Sequence, residues 1–98
     1  EMAENPFTAE DEKTLDELRA RIRKASEYAQ SIPAAKIDGS ETREIELPVG
    51  GGRTMKFPGE TFLKGFSLPN FFFHVTMASA LLRQGGVEIG KMDYLGAP

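Results

Sequence analysis

The sequence predicts a mainly helical fold that carries one small β-hairpin. Two long segments have helical character, one charged with a single apolar stripe and one apolar over most of its circumference. Between them, two short segments alternate polar and apolar residues around a run of three glycines. The 98 residues are enough for one small domain or for part of one, and we assign residues 1–98 to a single domain.

Composition excludes several classes of function before any motif is considered. The chain has no cysteine, which excludes disulfide scaffolds, thiolate zinc sites and cysteine nucleophiles. Its net charge of -3 argues against nucleic acid as a partner, because that binding depends on clustered positive charge. No apolar run reaches the ~18 residues of a membrane helix, and no leader peptide opens the sequence. We therefore expect a cytoplasmic protein without a membrane partner.

The first predicted helix is entered through Pro6 and Thr8, with Thr8 as its cap and Asp11 as the capping-box partner. Its apolar positions recur at intervals of three and four residues and form one stripe: Leu15, Leu18, Ile22, Ala25, Ala29 and Ile32. Charged residues cover the other faces, which is typical of a solvated helix with one packing edge. Pro33 ends the helix.

The predicted hairpin pairs residues 43–47 with residues 54–57. Alternation places four apolar side chains on one face of the pair: Ile45, Leu47, Met55 and Phe57. The glycines at 50–52 favour a turn with positive φ over a phosphate-binding loop.

The second predicted helix runs over residues 59–84 with Pro69 inside it. Proline lacks an amide hydrogen and clashes with the carbonyl four residues earlier, so we expect a kink or a break near residues 67–69. Gly85 and Gly86 are expected to end the helix, and an extended tail is expected to follow. Residues 85–92 approach the spacing of a P-loop, but Met92 replaces the hydroxyl residue and a helix precedes the run, so we reject that motif.

The second helix is too apolar for the surfaces that this chain offers to cover it. A helix that is apolar over most of its circumference needs several neighbours. We expect either further helices of a larger bundle, missing from this sequence, or a second copy of the chain. With that cover in place, Phe73 would be a core residue, and Phe73→Ala would destabilise the protein by ~3–5 kcal/mol.

His74 is the single histidine and follows Asn70 by one helical turn, so both side chains project from one face. One imidazole and one amide bind a divalent metal weakly, and a hydrogen-bonded core histidine is the favoured interpretation. The candidate pocket comprises Asn70, His74, Phe66, Phe73 and Met77, with His74 as the candidate metal ligand. No catalytic residue is assigned, and no cofactor is expected beyond that divalent metal.

Two stretches, residues 66–76 (FSLPNFFFHVT) and 85–96 (GGVEIGKMDYLG), together with residues 7–20, resemble the C-terminal half of the DUF1993 family. That family is similar to the DinB/YfiT-like four-helix bundles. The resemblance implies half of an up-and-down bundle, in which two long helices flank the hairpin and the first two helices precede Glu1. Metal-binding DinB-like proteins carry a His-x-x-x-His pair on the last helix. Here Asn70 stands at the first position and departs from the pattern, and only His74, at the second position, matches it; the resemblance therefore implies a degenerate, metal-free pocket.

Three functions remain open at this stage. The favoured one is a non-catalytic helical module that acts through oligomerisation or binding, as a homodimer or with the missing N-terminal half. The second is a nickel- or zinc-dependent hydrolase or thiol transferase in which His74 is one ligand. The third is a carrier of a small apolar ligand between helices.

Overall fold

The computed structural model describes residues 5–7 and 9–96, which form two compact units, Glu1–Ile37 and Asp38–Pro98. The first unit contains helix α1 and a short 3-10 turn, and the second contains the hairpin followed by helical segments. In chain order the elements are α1 (Leu15–Ser31), the 3-10 turn (Ala34–Lys36), β1 (Glu44–Pro48), β2 (Thr54–Pro58), α2 (Gly59–Thr61), a π-helical stretch (Phe62–Ser67), α3 (Leu68–Gln84) and α4 (Lys91–Leu95). The predicted combination of long helices and one hairpin is confirmed.

Helix α1 begins later than the sequence analysis predicted. Thr14 is its N-cap: the Thr14 hydroxyl accepts the Glu17 amide at 3.2 Å, and the Glu17 carboxylate accepts the Thr14 amide at 2.9 Å. Thr8 lies outside the described residues, and the expected capping box with Asp11 is wrong because residues 9–13 are not helical. Of the two Thr-x-x-acid patterns, the one directly before the apolar stripe forms the cap.

A clamp on Arg21 holds the segment before α1 against the helix. The guanidinium donates to the Glu12 carboxylate and to the Ala9 carbonyl, each at 2.5 Å. It also lies 5.5 Å from the centre of the Phe7 ring, which meets the Tyr28 ring edge-on at 6.1 Å. Apolar ring surface and a partly shielded ion pair thus fix the approach to α1.

The hairpin has the predicted apolar face, and its strands pair in antiparallel register. Ile45 pairs with Phe57 and Leu47 with Met55, so the four apolar side chains share one side of the two-stranded sheet. On the other side, the Lys56 ammonium contacts the carboxylates of Glu44 and Glu46 at 3.1 and 2.5 Å. The three glycines of the turn all have positive φ, between 59° and 77°, which confirms the turn interpretation.

Three phenylalanines join the hairpin to the helical segment that follows it. Phe57 of β2 lies 5.8 Å from Phe62 and 5.6 Å from Phe66, measured between ring centres, and Phe62 and Phe66 are 5.7 Å apart. All three are half-buried, as are Ile45 and Leu47 on the same side of the hairpin. Among the described residues of the second unit, this aromatic cluster is the group that most resembles a hydrophobic core.

The π-helical stretch provides the irregularity that Pro69 predicts. The Leu68 amide bonds to the Leu63 carbonyl, five residues back rather than four, and α3 begins at Leu68 with Pro69 in its first turn, where a missing amide hydrogen is tolerated. A wider turn changes the phase of every side chain after it relative to those before. A regular helix of 100° per residue would place Phe66 in line with Phe73 and Met77. That alignment, on which the candidate pocket depends, is therefore wrong across Ser67.

Helix α3 ends as predicted, but the tail does not stay extended. Gly85 caps the helix, Gly86 has φ of 97°, and the Val87 amide bonds to the Leu82 carbonyl at 3.0 Å. The tail then forms α4, because the Asp93 carboxylate accepts the Gly90 amide at 2.8 Å and Gly96 ends the turn at φ of 68°. The local signals for this short helix are an acidic residue three positions after a glycine and a second glycine beyond it.

None of the described residues is buried, and most large apolar side chains of α3 are open. Phe73 is 60% exposed, so it is not a core residue within this chain, and the expected 3–5 kcal/mol applies only to a covered state. The chain's own elements leave α3 uncovered, as the apolar pattern predicted. The apolar stripe of α1 is open as well, with Leu15 at 70% and Ile22 at 68% exposure.

A steric test of the second unit is available at Gly59. An added Cβ would lie 2.1 Å from the Ser40 carbonyl oxygen, at the point where the Glu60 amide bonds to the Glu41 carbonyl at 2.9 Å. We expect Gly59→Ala to lower the free energy of unfolding by roughly 1–3 kcal/mol, since the backbone must shift. Urea unfolding followed by circular dichroism measures it.

The matched control is Gly65→Ala, also in a helical segment. Its Cβ would meet only the Thr61 methyl, at 4.0 Å. Equal unfolding midpoints for the two variants would contradict the close approach at Ser40.

Candidate functional site

Asn70 and His74 lie one turn apart on α3, as the sequence predicted, and both are exposed in this chain. At 100° per residue they fall on the same side of the helix as Met77 and Leu81. The ring of His74 meets the ring of its neighbour Phe73 edge-on, with centres 5.4 Å apart. The interpretation of His74 as a core histidine is therefore not met within the described residues, and it requires cover from other polypeptide.

The remaining members of the candidate pocket separate into two environments. Phe66 belongs to the half-buried aromatic cluster with Phe57 and Phe62. Phe73 and Met77 are 60% and 44% exposed on the open side of α3. The pocket around Asn70 and His74 stays a prediction.

His74 has no companion ligands in the part of the chain that the structure describes. Across residues 5–7 and 9–96, no group of three His, Cys, Asp or Glu side chains is placed to hold a metal ion. Transition-metal sites commonly take three or four such protein ligands. His74 could serve only as one ligand of a site completed by other polypeptide.

A cleft separates the C-terminal half of α3 from α4, and the sequence analysis missed it. Its volume is about 290 Å³, and its lining is Thr76, Ser79, Ala80, Arg83, Gly90, Lys91 and Tyr94. The Thr76 hydroxyl donates to the Tyr94 hydroxyl at 3.2 Å across the cleft. The signal was partly visible, because Thr76, Ser79 and Arg83 form the polar stripe of an otherwise apolar helix. The cleft was missed because the tail was expected to be extended, whereas its residues form α4, the second wall of the cleft.

A cavity of about 460 Å³ lies in the first unit, beside the Arg21 clamp. Phe7, Glu12, Glu17 and Lys24 are among its lining residues. The hydrogen bond from Arg21 lowers the pKa of Glu12, and the same bond raises the pKa of Arg21. Both groups are thereby held in their charged forms, which suits a structural ion pair rather than a proton-transferring one.

Hydrogen bonds from the Lys13 and Thr14 amides lower the pKa of Glu17, and the remaining shifted groups belong to surface ion pairs. Hydrogen bonds with Lys56 lower the pKa of Glu46, and the bond with Lys64 lowers the pKa of Glu60. Such exposed pairs are screened by water and indicate no reaction. None of the helices within residues 5–7 and 9–96 has the length and apolar character needed to cross a membrane.

Comparison with known proteins identifies the class. The profile of the DUF1993 family (Domain of unknown function) matches residues 1–95, and the chain belongs to that family. The fold is similar to the crystal structure of a DinB family member protein from Shewanella denitrificans, with a TM-score of 0.79 and 38% sequence identity. The match covers 95% of this chain and 51% of that one, so this chain spans about half of its structural neighbour. No curated protein matches the chain.

The family assignment and the DinB-like helical fold confirm the resemblance drawn from residues 66–76 and 85–96. The family description itself names no reaction. A function for this chain is therefore inferred from its own side chains.

The Arg21 clamp makes a pKa prediction. Arg21→Met keeps an extended apolar stem but removes the hydrogen bond that lowers the pKa of Glu12, so we expect that pKa to rise toward its ordinary value. A carboxyl-resolved NMR titration measures it. Because the folded pKa is depressed, the stabilisation from Glu12 is present above the unfolded pKa and is lost as pH falls through the folded pKa.

Arg19→Met is the control, since Arg19 pairs with Asp16 at 3.0 Å instead of with Glu12. An unchanged Glu12 titration in Arg21→Met would show that the clamp does not set this pKa.

Proposed function

We propose that this chain is a non-catalytic module of a helical bundle and that it acts by binding other helices through one side of α3. We call that side the α3 apolar surface. Its members and their exposures are Phe71 60%, Phe73 60%, Met77 44%, Leu81 61% and Leu82 52%. The exposure of these five side chains on one helix is the observation that carries the proposal.

The size of the α3 apolar surface favours an interface over ordinary exposed residues. Each aromatic side chain can bury on the order of 150–250 Å², and contiguous apolar patches beyond a few hundred Å² mark interaction sites. At 100° per residue, the five side chains span about half of the helix circumference. The opposite side carries Thr76, Ser79 and Arg83, with Phe72 among them, so it is the more polar side of the helix.

The occupant that we propose is the remaining polypeptide of a DinB-like four-helix bundle. This chain matches 51% of its structural neighbour, so about half of that protein lies outside the match. We propose that polypeptide equivalent to this other half supplies the helices that cover α3. The open apolar stripe of α1, including Leu15 and Ile22, offers a second edge for the same packing. A second copy of the chain is the other occupant, and the oligomeric state distinguishes the two.

Asn70 and His74 lie within the arc of the α3 apolar surface, so cover of that surface would enclose them too. An amide in place of the first histidine removes one ligand from the His-x-x-x-His pair of metal-binding DinB-like proteins. In the proposed module, the two side chains form a polar contact inside the bundle rather than a metal centre.

We expect the 98-residue chain, purified alone, to self-associate or to bind a hydrophobic dye such as ANS, because the α3 apolar surface is open. Phe73→Gln should reduce dye fluorescence and association, since it replaces a 60% exposed aromatic ring of that surface. Light scattering with size-exclusion chromatography and dye titration measure both effects.

The matched control is Met92→Gln, which changes a side chain of similar exposure, 57%, on α4. A monomer that binds no dye, or equal effects of the two substitutions, would refute the proposed surface.

The exposure of His74 favours one alternative, a metal-dependent enzyme that uses this imidazole as a ligand. The test is zinc or nickel binding by the untagged protein, measured by elemental analysis and calorimetry. We expect no stoichiometric metal in the natural sequence. Asn70→His should raise zinc affinity by roughly tenfold or more, because a second imidazole one turn away acts at high effective concentration.

Asn70→Gln is the control, since it keeps the amide. Stoichiometric metal in the unmodified protein would support the enzyme and contradict the metal-free module.

A further inference from the structure

The cleft between α3 and α4 contains two positive charges that form no ion pair with any carboxylate of the described residues. Arg83 comes from α3 and Lys91 from α4, and both line the cleft. Within residues 5–7 and 9–96, neither side chain takes part in an ion pair. The nearest acidic residue in sequence, Asp93, uses its carboxylate to accept the Gly90 amide at 2.8 Å.

Hydroxyl groups complete the polar lining. Thr76, Ser79 and Tyr94, which each carry a hydroxyl group, are among the lining residues. The Thr76 and Tyr94 hydroxyls are hydrogen-bonded at 3.2 Å, and whichever of them donates, the other keeps its proton for another acceptor. The cleft thus combines a guanidinium, an ammonium and hydroxyl donors, and this set matches an anion with several acceptor oxygens.

The position of the cleft keeps it accessible when the bundle is complete. At 100° per residue, Thr76, Ser79 and Arg83 centre on the side of α3 opposite Leu81, which is in the middle of the α3 apolar surface. Helices that cover the α3 apolar surface would leave these three polar side chains facing water. The cleft adjoins that surface at one edge, because Ala80 of its lining lies almost in line with Phe73.

We propose that this cleft binds the phosphate group of a small molecule, held by Arg83 and Lys91. A tetrahedral phosphate offers three terminal oxygens to the two cations and the hydroxyl donors, whereas a carboxylate offers two. The volume of about 290 Å³ is roughly ten times that of one liquid water molecule. It leaves room for a small organic group beside the phosphate, against Ala80 and the ring of Tyr94.

Titration of the full chain with inorganic phosphate and with glycerol phosphate tests the site, each at constant ionic strength against sodium chloride. Amide chemical shifts of Ser79, Arg83 and Lys91 should change and saturate. The tighter of the two ligands identifies the source of the phosphate, and we expect it to be the phosphomonoester because its organic group has a place in the cleft.

Arg83→Gln and Lys91→Gln should each weaken binding at least about tenfold, since each removes a charged donor. Arg53→Gln is the control: it removes the same charge from the hairpin turn of the same unit, and binding should not change. Shifts that fail to saturate, or an equal loss of affinity in all three variants, would overturn the proposal. Acetate binding as tight as phosphate would refute the phosphate assignment.

Discussion

The structure depends on which apolar side chains are covered by the chain itself and which are left exposed. The aromatic cluster of Phe57, Phe62 and Phe66 is satisfied locally, because β2 lies against the first helical turns that follow it. Helix α3 continues the same run of apolar residues but receives no comparable cover from the described residues. Exposed apolar area is unfavourable in water, and this imbalance is the physical basis of the proposed association through α3.

The change of phase at the π-helical stretch creates that division. With regular α-helical spacing throughout, the rings at Phe62 and Phe66 would continue the same stripe as Phe73 and Met77. The five-residue hydrogen bond at Leu68 ends the first stripe beside the hairpin and allows α3 to face elsewhere. Pro69 requires an irregularity at this point in any case, because it has no amide hydrogen to donate. One residue thus sets both the break in the hydrogen bonding and the direction of the apolar side chains beyond it.

Sequence reasoning succeeded where one local signal dominated and failed where two signals competed. Alternation around Gly50–Gly52 predicted which face of the hairpin is apolar, because side chains on a strand alternate with period two; the pairing of Ile45 with Phe57 was left open, since a shift by two residues keeps the same face. Two capping patterns competed at the start of α1, and proximity to the apolar stripe decided for Thr14. The α3–α4 cleft could not be predicted, because its walls meet only after Gly86 turns the chain back. The placement of Asn70 and His74 one turn apart on α3 was predictable from spacing alone, whereas the exposure of both side chains was not.

The backbone crossing at Ser40 and Gly59 makes the hairpin a self-closed insertion. The Glu60 amide donates to the Glu41 carbonyl at 2.9 Å, so residues 42–59 begin and end at one backbone contact, which we call the neck. The entropy lost on closing this loop is offset by the hydrogen bond at the neck and by the hydrogen bonds between β1 and β2. Lengthening a loop that is already closed adds little further loss of entropy. We therefore expect the turn at Gly50–Gly52 to accept a reporter peptide or an affinity epitope without a change in the backbone at the neck.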